Sequence, residues 1–142
     1  MYRAVLLVPS LVFLITVNKE ISADNTTKIR WRVLRKLKDV NHLPPEIKEL
    51  NQSKIRVAGY MVPLESNENG VIEFLLVPIS GQCIHIPPPP ANQMIYVTMK
   101  KGKEADYTDK SVMVYGTFSV QARQNKYGKA LYGLASDKVL AF

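Results

Sequence analysis

The sequence predicts a mainly β fold, a small five-stranded barrel, and three features of the chain lead there. From Ile55 onward the apolar residues recur at every second position, the period of a strand, where before it they recur at helical spacing. Turn signals then punctuate the alternating runs, Asn69-Gly70 being the strongest. Finally, Gly59 and Gly116 fall inside apolar runs. Glycine within a strand marks a bulge or tight bend, which closing a short sheet requires.

The elements follow in order. Arg3 precedes Ala4 to Val17, an uncharged and almost wholly apolar run, and a polar stretch ends at Ala23. These are the parts of a cleaved signal peptide over residues 1–23, directing the remainder to the periplasm. A membrane anchor is the competing reading, because Lys28, Arg30, Arg32, Arg35, Lys36 and Lys38 follow the run. The run is shorter than the ~20 residues that span a bilayer, which favours cleavage.

Residues 24–53 form a basic helical lead-in. Ile29, Val33, Leu34, Leu37 and Val40 lie at helical spacing with basic residues between them, predicting an amphipathic helix over 29–40. Its apolar stripe suits packing on the barrel, and its basic side suits contact with an anionic membrane surface. Pro44-Pro45 then opens a short helix ending near Asn51. Residues 54–142 form the barrel domain. Its strands are expected at Ile55–Leu64, Val71–Ile79, Met94–Met99, Ser111–Val120 and about Ala130–Phe142, with a polar loop or short helical link over Lys100–Lys110. Size and strand number match barrels of the oligonucleotide/oligosaccharide-binding (OB) kind, with a small β-sandwich as the alternative.

Hydrophobic and charged contents of 46% and 22% are those of a globular chain, and the formal charge of +7 favours anionic partners. Nucleic acid is not expected among them. Tyr60, Tyr96, Tyr115 and Tyr132 fall on strands, where tyrosines are usually core, and export removes the protein from the cytoplasm.

The stretch Gly81–Gln93, "GQCIHIPPPPANQ", holds the single cysteine. With "GYMVPLE" (Gly59–Glu65) and "EFLLVP" (Glu73–Pro78), its string "CIHIPPPPANQ" resembles the bacterial exported domain-of-unknown-function family numbered thirty-two ninety-nine, over nearly all of the chain from Trp31 onward. The resemblance implies an exported protein with an OB-like fold and a link to transport or metal handling. Cys83, His85, Asn92 and Gln93 match the family pattern. Ile79-Ser80 stands where the pattern carries aromatic residues, and Ala91 where a proline is common.

Extended alternation would set Cys83 and His85 on one face and Ile84 and Ile86 on the other. A thiolate and an imidazole suit zinc or copper, with Glu65, His42 or Met61 as a third ligand. The prolines at Pro87, Pro88, Pro89 and Pro90 stiffen the chain, so together with Asn92 and Gln93 they also read as a docking loop. A thiol-dependent enzyme ranks last, because no resolving cysteine or orienting residue accompanies Cys83. The bland reading is a buried thiol beside a hydrogen-bonded loop histidine. The sequence thus points to a periplasmic binding or accessory module with an envelope or transport protein as partner, and metal handling as the alternative.

Overall fold

The alternating runs form a closed barrel. A computed structural model describes residues 25–82 and 87–142. Its elements are β1 (Thr27–Ile29), α1 (Trp31–Leu34), α2 (Pro45–Leu50), β2 (Lys54–Asn67), β3 (Gly70–Val77), a 3-10 turn (Ala91–Gln93), β4 (Ile95–Met99), β5 (Val112–Asn125) and β6 (Gly128–Ala141). The sheet order is β1-β2-β3-β4-β6-β5, and an additional β2–β5 pairing joins the ends of the five long strands. Only β4–β6 within the barrel is parallel. This is an OB-like five-stranded barrel.

β2 serves two neighbours in succession. Lys54–Gly59 pair with β5, and from Tyr60 the strand pairs with β3. Gly59 sits at that handover, where a Cβ would lie 2.7 Å from the carbonyl oxygen of Val77. At Gly116, beside a register shift between β5 and β6, a Cβ would lie 2.2 Å from the carbonyl oxygen of Ala135. Both glycines therefore permit close backbone approach where the sheet bends, as their positions predict. The β2–β3 turn is Glu68-Asn69, one residue before the expected Asn69-Gly70, with Gly70 opening β3 opposite Asn67 and Asn67 Oδ1 accepting from the Asn69 and Gly70 backbone amides.

The inward side chains of all five strands share one core, including Ile55, Val57, Phe74, Val97, Phe118 and Tyr132. Phe118 and Tyr132 pack with ring centroids 5.2 Å apart. Leu34, Leu37 and Ile47 of the lead-in are fully buried in the same core. Each such side chain contributes about 1.5–3 kcal/mol of burial.

The lead-in departs from the expected helix over 29–40. Ile29 belongs to β1, which pairs in parallel with Ile55–Val57 of β2, and helix survives only over Trp31–Leu34. Leu37 is still buried, but Val40 is exposed. The physical cause is twofold. Lys28, Arg32 and Lys36 recur at a spacing of four, where like charges oppose a helix, and a helix of this length is marginal without packing. The side chains that contact this segment bind its carbonyls individually, as described below. The second helix is where Pro44-Pro45 predicts it, with Pro45 in the first turn. The 100–110 link is irregular, tied to β3 by a bridge between Val71 and Ala105.

Candidate functional site

The proline segment is entered through a local turn and anchored at its C-terminal flank. After β3 the chain turns at Ile79–Gln82. Gln82 is buried, its backbone amide donating to Ile79 O (3.4 Å) and its Oε1 accepting from the Ile79 amide (3.3 Å). Cys83 and His85, the expected metal pair, lie outside the described residues. On the far side Pro87, Pro88 and Pro90 are exposed while Pro89 is buried.

Asn92 and Gln93 behave differently from the outward docking face the sequence suggests. Asn92 Nδ2 donates to the carbonyl oxygens of Arg35 (3.1 Å) and Leu37 (2.9 Å), just beyond α1. Gln93 is buried, and its Nε2 donates to Trp31 O (3.3 Å) and Asn92 O (2.8 Å). A helix leaves its last carbonyls without partners. The Asn92 amide supplies partners to two such carbonyls and the Gln93 amide adds a second donor to Trp31 O, so both point their donors into the protein, and among the described residues of the segment Pro87, Pro88 and Pro90 are exposed. Tyr132 Oη adds a bond to Leu34 O (2.6 Å), and Trp31 Nε1 donates to Ala58 O (2.7 Å).

The three expected third ligands are not brought together. Met61 is buried in the barrel core, yet it lines a shallow depression with Ser80, Gly81, Gln82, Tyr107 and Asp109 at the entry to the proline segment. Glu65 is exposed past a bulge in β2 and borders a separate depression with Glu73, Tyr96 and Lys126. His42 is exposed on the α1–α2 connection, its Nδ1 3.0 Å from Asp39 Oδ2. The Asn41 backbone amide and the His42 ring hold the Asp39 carboxyl below its ordinary value. Among the described residues, no three His, Cys, Asp or Glu side chains cluster as a metal would require.

A second polar cluster lies on the outside of the barrel, and sequence reasoning missed it. Tyr96 Oη donates to Glu73 Oε2, and Arg123 Nη2 lies 3.4 Å from Glu73 Oε1. The guanidinium carbon of Arg123 sits 3.7 Å from the centroid of the Tyr96 ring. Burial, and then Glu73, push the Tyr96 hydroxyl above its ordinary pKa. Arg123 follows a register shift between Val120 and Arg123 in β5, beyond the end expected for that strand. The cluster ties the tip of the β5–β6 hairpin across the outer sheet, where Val62, Leu75, Val77, Met94 and Ala130 form a smaller buried cluster. The available signal was Glu73, a lone charge inside the apolar run "VIEFLLVP".

The chain matches the family model described as Protein of unknown function (DUF3299) over residues 15–141. It is also similar to a crystal structure of a DUF3299 family protein from Pseudomonas aeruginosa PAO1, with 42% identity and a TM-score of 0.61. That similarity covers 67% of this chain and 64% of the Pseudomonas chain, a little under two thirds of its length. The comparison with curated proteins gives no match. With a family model spanning nearly its whole length and an OB-like barrel beneath it, the chain belongs to the DUF3299 family of proteins of unknown function.

Proposed function

We propose that this protein is an exported binding or accessory module of the cell envelope, whose proline segment docks onto an envelope or transport protein. The observation that carries this reading is the anchoring of the segment. Asn92 and Gln93 fasten its C-terminal end to the lead-in, and Pro87, Pro88 and Pro90 just before them remain exposed. A surface held rigid before association loses less entropy on binding. Tyr107, 59% exposed, lines the depression at the chain's entry into the segment, and Ile79, 56% exposed, precedes that entry in the chain. Export rests on the apolar run after Arg3 and its exit at Ala23. A soft-metal role for Cys83 and His85 is the second reading, supported by Met61 at the edge of the segment.

The test is cross-linked capture from envelope extract. Pro87→Gly with Pro88→Gly should weaken capture of a reproducible partner several-fold, with chelator having no effect. Capture indifferent to both prolines overturns the docking reading. If instead chelator abolishes capture, and Cys83→Ser removes bound metal from the purified protein, the metal reading replaces it.

A further inference from the structure

A trough runs along β6 on the outer face of the barrel. In register, Gly133 of β6 lies between Tyr96 of β4 and Ser119 of β5, and Ala135 lies between Thr98 and Thr117. Small residues on the middle strand thus sit between larger ones on both neighbours. A Cβ at Gly133 would lie 2.8 Å from Ser119 Oγ, so the missing side chain is what keeps the floor open. Gln121 and Arg123 continue the β5 wall of the same depression.

The lining has a definite chemistry. The hydroxyls of Thr98 and Ser119 and the amide of Gln121 can each donate and accept hydrogen bonds, which suits a ligand rich in hydroxyls. Arg123 adds a planar cation, 48% exposed, whose 3.4 Å contact with Glu73 is longer than the ~2.7–2.9 Å of a strong charge-assisted bond. A guanidinium has five donors in a fixed fork, the geometry that recognises carboxylate. Glu73 already offsets part of its charge, which fits a singly charged group better than a phosphate dianion. The Tyr96 ring face is covered by Arg123, so it is not available to stack a nucleobase. We propose that this trough binds an acidic saccharide, its hydroxyls held by Thr98, Ser119 and Gln121 and its carboxylate by Arg123. The site is separate from the proline segment and stands or falls independently of it.

Trigalacturonate titrated into the full-length, isotope-labelled protein at fixed ionic strength tests the assignment. Amide shifts should concentrate at Ser119, Gln121, Arg123 and Gly133. Arg123→Gln and Gly133→Ala should each weaken binding at least tenfold, whereas Arg32→Gln, which removes a charge from α1, should not. Neutral maltotriose should bind at least tenfold more weakly than trigalacturonate. Absence of shifts at these residues at millimolar sugar, an equal loss in Arg32→Gln, or equal occupancy by oligothymidylate overturns the proposal. Arg123 is half exposed, so its variant remains informative if Gly133→Ala compromises folding.

Discussion

The lead-in around α1 and the tip of the β5–β6 hairpin are both laid against the barrel, but by different means. Trp31, Asn92, Gln93 and Tyr132 all direct side-chain donors at main-chain carbonyls that bind the lead-in to its surroundings. The hairpin tip is held in part by charge, with Arg123 and Glu73 side chains 48% and 19% exposed. Carbonyl acceptors carry the same partial charge at any pH and are little affected by salt. Exposed ion pairs are screened and contribute about 0–1 kcal/mol. The lead-in and the Asn92-Gln93 turn against it are therefore held independently of pH and salt, and the hairpin tip is adjustable.

Three substitutions probe that contrast, from the largest expected effect downward. Tyr132→Phe removes a fully buried donor to Leu34 O, which keeps the longer bond from the Leu37 amide (3.3 Å), so denaturant unfolding should show a loss of about 1.5 kcal/mol. Asn92→Ala takes the shared donor from Arg35 O and Leu37 O at a partly exposed site. A loss of about 1 kcal/mol is expected there, with faster amide exchange from Ala91 to Met94 as the local readout. Glu73→Gln should cost under about 1 kcal/mol, but it should abolish the salt dependence of amide exchange at the hairpin tip. A Glu73→Gln loss exceeding that of Tyr132→Phe would reverse the contrast.

Much of the barrel was legible because its information is local. Period-two alternation, Asn69-Gly70 and the two strand glycines each act through backbone geometry that a short window of sequence contains. The lead-in was misread for the opposite reason. Its helical spacing is real, but Ile29 finds hydrogen bonds on β2, distant in sequence, and Asn92 takes carbonyls from more than fifty positions away. The candidate site divides along the same line. The exposure of Pro87, Pro88 and Pro90 follows from composition, whereas the inward aim of Asn92 and Gln93 depends on which helix end happens to lie beneath them. The Glu73, Tyr96 and Arg123 cluster joins three strands and had no contiguous signature beyond one charge in an apolar run.

The short parallel strand β1 bears on how the molecule avoids its own copies. Along Ile55–Val57, β2 has β5 on one side and β1 on the other, because β3 begins to pair only from Tyr60. Thr27–Ile29 thus cover an edge of β2 that barrel closure leaves bare. Exposed strand edges invite other chains to add and aggregate. Proteolysis between Ile29 and Trp31 that released β1 would leave the five barrel strands paired and take one side chain, Ile29, from the core, yet uncover a template for intermolecular strand addition. Solubility would then be the first property lost, ahead of the fold.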